Sequence, residues 1–149
     1  MSDRILAGRL TEDELDVLVS VALRRAEILD EIDSPGAGEA WREVMEYETR
    51  LAALTSPAEI TGGIARAGAV AAALAAGERL LAQQLSAQYL AEASLPVERR
   101  AAISRVFQED EKRLASRFSA LSRSGLLAEL PKWRAALSQQ TGGVFPRAA

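Results

Sequence analysis

The strongest constraint on this chain is the stretch 62–77, GGIARAGAVAAALAAG, in which every residue except Ile64, Arg66, Val70 and Leu74 is Gly or Ala. Alanine loses no side-chain entropy on entering a helix, and no proline interrupts the chain between Pro57 and Pro96. The region therefore reads as one long helix over about 57–92. Ser56 as a cap, Pro57 at the first helical position and Glu59 three residues after the cap mark its start. The adjacent pair Gly62-Gly63 costs roughly 2 kcal/mol relative to two alanines, so a short first piece followed by the main rod fits equally well. Small residues at four-residue spacing (Gly63 with Ala67, Gly68 with Ala72, Ala73 with Gly77) form smooth strips where another helix can come close. The segment is expected to be the hub on which the other helices pack.

Composition points the same way. Nearly half the residues are hydrophobic but only 5% are aromatic, so the core must be built from Ala, Leu, Val and Ile, which suits closely packed helices. Thr11-Glu12-Asp13-Glu14 is a capping box that opens a helix to about Asp33, and Ser34-Pro35-Gly36-Ala37-Gly38 ends it. A second helix is expected over about 39–54. A corner at Ser94-Leu95-Pro96 leads into another, running to about Ser122 with Gly125 as its stop. A short last helix spans about 131–140. The fold class is all-α: an antiparallel bundle of four main helices plus a short C-terminal helix. The 149 residues make one domain, 1–149, with 1–10 a loose arm and 141–149 a tail.

There is no cysteine and no histidine. Disulfides, thiolate or imidazole metal sites, thiol nucleophiles and the commonest general base are thereby excluded, and no metal or cofactor is expected. The start MSDRILAGRL lacks an apolar signal-peptide core, which points to the cytoplasm. The weakly charged run 60–77 is interrupted by Arg66, ended by Glu78 and Arg79, and made of residues with little hydrophobic drive, so no membrane span is expected. The preference for Arg over Lys hints at a bacterial source.

Acidic pairs at helical spacing occur at Glu27 with Asp30 and at Glu43 with Glu46. Together they resemble the motif of the all-α nucleotide pyrophosphohydrolases, Glu-x-x-Glu followed by Glu-x-x-Asp. Here the two halves stand in the opposite order along the chain, and no site is carried across.

More specific are Glu48 and Asp110, which fall on apolar helix faces, with Arg66 a possible partner for either. A buried carboxylate needs hydrogen bonds or a positive partner, or it takes up a proton. These three residues could line a ligand pocket or form an interhelical ion pair. On the first helix, Leu15, Leu18, Ala22 and Leu29 form one apolar stripe, and Val17, Val21, Ile28 and Ile32 form another nearly opposite. A surface helix needs only one. The second stripe is either covered within the domain or offered to another subunit. Arg105, Lys112 and Arg123 line one face of the helix after Pro96, a basic face that could meet nucleic acid. Residues 1–95 and 96–149 carry net charges of −8 and +5, which together give −3. This asymmetry fits an acidic partner or head-to-tail self-association. The expected function is that of a non-catalytic assembly, adaptor or accessory protein, a homo-oligomer or the subunit of a partner protein. A ligand-binding or enzymatic bundle, and a nucleic-acid accessory factor, are the alternatives.

Overall fold

A computed structural model describes residues 10–121, all of whose regular structure is helical. Five helices follow in order among these residues: α1 (Glu12–Glu31), α2 (Ala37–Leu54), α3 (Ile60–Ala75), α4 (Arg79–Leu90) and α5 (Val97–Leu121). The chain divides inside α5, one compact unit ending at Asp110 and a second beginning at Glu111. Of the expected arm at 1–10 only Leu10 is described, and it is buried in the core; the rest of the arm, the last helix over 131–140 and the tail over 141–149 lie outside the described residues. No helix of the described residues is long and apolar enough to cross a membrane.

The first helix begins where its capping box requires. The Thr11 hydroxyl accepts from the Glu14 backbone N–H at 3.2 Å, and Glu12, Asp13 and Glu14 place negative charge on the first turn. At its other end Asp33 adopts the left-handed conformation (φ 51°), and Ser34 N–H returns to the Leu29 carbonyl at 2.9 Å. Pro35 and Gly36 then lead directly into α2.

The expected helix over 57–92 is two helices. It is broken at Gly77, not at Gly62-Gly63. Gly77 has φ 78°, its N–H bonds to the Leu74 carbonyl, and the Glu78 N–H reaches back to the Ala73 carbonyl. This paired ending satisfies carbonyls that α3 leaves open and needs a residue without a Cβ at the left-handed position. Arg42 of α2 holds the corner by donating to Glu78 at 2.8 Å and to Glu39 at 2.7 Å. The start also differs: residues 56–59 form a turn, the Ser56 hydroxyl accepting from Ala58 N–H, and α3 begins at Ile60 with no side-chain cap.

Gly62 and Gly63 lie within α3 because its first turn is crowded. A Cβ at Gly62 would sit 1.9 Å from the Ser56 carbonyl oxygen, and one at Gly63 would meet the aliphatic stem of Arg99 at 2.7 Å. The missing side chains provide space here, not backbone freedom.

α3 is the hub of the first unit. Ala65, Ala69, Val70, Ala72 and Ala73 are almost completely buried, α2 and α4 both pack on this helix, and α1 packs on α2. The larger core cluster joins these residues to Leu15 and Val19 of α1, Leu51 of α2, Leu85 and Tyr89 of α4, and Ile103 of α5. A smaller cluster at the other end gathers Ala22, Ala26, Ala40, Val44 and Ala72. Alanine gives little area to bury, so the cohesion of this core rests on close approach and many small dispersion contacts. On α5 the expected apolar face is inside at Ile103 and half-buried at Val106 and Phe107, but Leu114 and Phe118, in the second unit, are exposed.

Candidate functional site

The polar centre of the first unit is Arg66, which is 5% exposed. Its guanidinium meets Glu92 through two parallel bonds, Nε to Oε1 at 2.6 Å and Nη2 to Oε2 at 3.0 Å. Nη1 also donates to the Gly62 carbonyl at 2.9 Å, and Nη2 to the Thr55 carbonyl at 3.2 Å. Its charge lies 5.6 Å from the centre of the Tyr89 ring, within cation–π range. One side chain thus ties together the segment after α2, the first turn of α3 and the segment after α4. The planar fork of arginine suits this task, since it can serve a carboxylate and two carbonyls at once.

A cleft of about 280 Å³ opens beside this staple, lined by Thr49, Ala52, Arg66, Gln88, Tyr89 and Glu92. Burial raises the Tyr89 hydroxyl above its ordinary pKa, with Thr49 and Arg66 working against that rise. The charges of Arg66 and Glu92 cancel within the cleft, so it is polar and close to neutral.

Glu48 and Asp110 take different surroundings. Glu48 is 7% exposed and its carboxylate lies against the backbone of Gly68, where a Cβ would meet Oε1 at 2.5 Å. Among the described residues no ion pair with an arginine or lysine is seen for it. Burial, reinforced by the negative charge of Asp16, raises its pKa to about 7. Asp110, also buried, accepts from Arg79 at 3.5 Å. Of the three candidates only Arg66 lines this cleft.

The contact between Gly68 and Glu48 revises the reading of the small-residue strip. At this position the glycine makes room for a carboxylate, not for a helix backbone. Gly68→Ala is therefore expected to lower stability by roughly 1–2 kcal/mol by forcing Glu48 aside. In a Glu48→Ala background the same change should instead stabilise by about 1 kcal/mol, the ordinary preference of a helix for alanine. Urea unfolding of the four variants measures the coupling, and additive effects would refute the contact.

The remaining candidates sit at the surface. On α1, Val17, Val21, Ile28 and Ile32 are 62%, 64%, 43% and 68% exposed, whereas Leu15, Val19, Ala22 and Ala26 of the same helix are buried. Coverage of the second stripe within the domain, one of the two expected alternatives, is not seen among the described residues. Arg105 and Lys112 are exposed, and Arg123 lies outside the described residues. Arg100, near the start of α5, is spent on structure, donating to the carbonyls of Leu90, Glu92 and Leu95 at 2.6, 2.6 and 3.0 Å. In the acidic pairs, Glu43 meets Arg25 at 3.3 Å and Glu27 meets Arg24 at 3.9 Å. No group of three acidic side chains that could hold a metal ion occurs among the described residues.

The chain matches no protein-family model, no curated protein and no solved structure. Function therefore has to be argued from the geometry alone. Sequence reasoning missed Glu92, which completes the polar centre. A buried arginine implies an acidic partner, but nothing in the spacing distinguishes Glu92 from other acids on neighbouring helices.

Proposed function

We propose that this protein acts by association, as an assembly or accessory subunit that pairs with a second copy of itself through the outer face of α1. The observation that carries the reading is the unequal fate of the two apolar stripes on α1. Of the first stripe the fold buries Leu15 and Ala22 and half-buries Leu18 and Leu29, with Val19 and Ala26 buried beside them, whereas Val17, Val21, Ile28 and Ile32 face water. Keeping four branched aliphatic side chains in line on an exposed helix face is unfavourable for an isolated molecule, and burial against a partner would remove that cost. The frame we take for this role is an antiparallel bundle in which the short turns at 32–36 and 55–59 return α2 along α1 and α3 along α2.

The test is the mass of the full chain by light scattering across a concentration series. Association into dimers or larger species is expected. The double variant Val21→Lys and Ile28→Lys should reduce the mass to that of a monomer with an unchanged helical circular dichroism spectrum. A wild-type chain that stays monomeric at hundreds of micromolar overturns the reading.

A second reading is favoured by the cleft beside Arg66, whose hydroxyl, amide and carboxylate groups could take a small polar ligand. It lacks a group of unbalanced charge to orient such a ligand and ranks behind association.

A further inference from the structure

The surface that α1 meets can be narrowed further, on the premise that the association reading holds. α2 and α4 both rest on α3, and between them lies a second hollow of about 360 Å³, lined by Met45, Glu46, Thr49, Arg50, Leu81 and Leu85. Thr49 also lines the cleft beside Arg66, so the two hollows adjoin at this residue, and the second of them is the groove of the α2–α4 seam. Its floor is apolar at Met45, Leu81 and Leu85, while one rim carries Glu46 and, one turn later, Arg50. A trough between two helices that share a third as their floor has the shape that receives an amphipathic helix.

The same chain presents such a helix. We propose that the outer face of α1 in one copy seats in the α2–α4 groove of a second copy, joining chains head to tail. Charge order selects this occupant. Arg24 and Glu31 flank one side of the α1 stripe, basic before acidic, and the groove rim runs Glu46 then Arg50, acidic before basic. With α1 lying parallel to α2 of the neighbour, Arg24 faces Glu46 and the Glu31 carboxylate comes within one turn of Arg50. In that register Ile28 lies over the groove, level with Arg50. Ile32 falls level with Leu54, which is one turn beyond Arg50 and 54% exposed. Pairing two α1 stripes antiparallel about their centre would instead bring Arg24 and Arg25 of one copy against the same residues of the other, like charge on like. A contact between two different surfaces leaves one of each free at the ends, so copies add until a ring closes or a fibre grows.

Complementation of two damaged surfaces tests this directly. One variant, Val21→Lys with Ile28→Lys, spoils the α1 face and leaves the groove intact. The other, Thr49→Trp, fills the groove and leaves α1 intact. A second groove variant, Glu46→Lys with Arg50→Glu, changes only exposed side chains and guards against misfolding of the first. The α1 variant and Thr49→Trp should each be monomeric alone by light scattering, and their 1:1 mixture should form a heterodimer and grow no further. The charge-reversed groove should weaken self-association at least tenfold. If both groove variants associate like wild type while the α1 variant does not, the groove is wrong and pairing of α1 with α1 or another site replaces it. If wild type itself is monomeric, the association reading fails together with this one.

Discussion

Replacing Arg66 by alanine should lower folding stability by about 3–5 kcal/mol, the usual cost of removing one partner from a buried ion pair. The loss has three sources. Glu92 keeps its negative charge in a half-buried position with its two strongest hydrogen bonds removed. The carbonyls of Gly62 and Thr55 lose charged donors, and that of Thr55 stands at the end of α2, where a helix leaves acceptors open. The space left by the guanidinium and its stem also costs packing. For a chain of this size the thermal midpoint should fall by roughly 10–20 °C, readable by far-ultraviolet circular dichroism. Arg66→Lys should recover only part of the loss, because an ammonium cannot span a carboxylate and two carbonyls. Replacing Arg66 and Glu92 together by methionine should recover most of it, since the unpaired charge is then gone. A fall below about 1 kcal/mol for Arg66→Ala would mean that water already supplies these bonds.

The second large effect is a loss of stability as pH rises through neutrality, caused by Glu48. Its folded pKa, about 7, lies above the ordinary value of 4.5, so the folded chain holds this proton more tightly than the unfolded chain does. Folding then binds a proton between these two values, and stability falls as pH increases from 4.5 to 7. Below 4.5 both states are protonated and the contribution is fully present; above 7 both are ionised and it is gone. A shift of this size corresponds to about 3 kcal/mol, and some contact of the carboxylate with water reduces it to roughly 2 kcal/mol. The charged groups that act across this site all work in one direction: Asp16 of α1 repels the ionised form, and the Tyr89 hydroxyl of α4 is raised in turn by Glu48. Glu48→Gln, which mimics the protonated acid, should be about 2 kcal/mol more stable than wild type at pH 8 and nearly equal to it at pH 5. Chemical unfolding at several pH values measures this, and parallel curves for the two proteins would show that Glu48 is ionised throughout.

These effects share an origin in the small-residue helix. Ala65, Ala69 and Ala73 let neighbours come close enough that long polar side chains must find places in a thin core. Arg66 finds a carboxylate and two carbonyls there. Glu48 finds a glycine, which gives room without neutralising charge. The first arrangement holds helix ends together; the second leaves a group whose protonation tracks physiological pH.

The sequence by itself determined the all-helical class, because a run of alanines without proline and periodic aliphatic positions leave little else for the chain to form. It also determined the start of α1 at Thr11 and the two-sided character of that helix, since capping and periodicity act within a few residues. That Glu48 and Asp110 fall on apolar helix faces was legible from the residues around them at helical spacing, but their burial was decided only by the packing. Only the tertiary structure decided where the long middle helix breaks, because Gly62, Gly63 and Gly77 look alike in sequence and differ in what surrounds them. Gly77 takes a left-handed turn, while the others stay helical where the Ser56 carbonyl and the Arg99 stem press in. The partner of Arg66 was likewise a tertiary matter, since Glu92 lies 26 residues away and beyond the end of α4. Local preferences select the elements, but which charge meets which is settled by distances that exist only once the helices have packed.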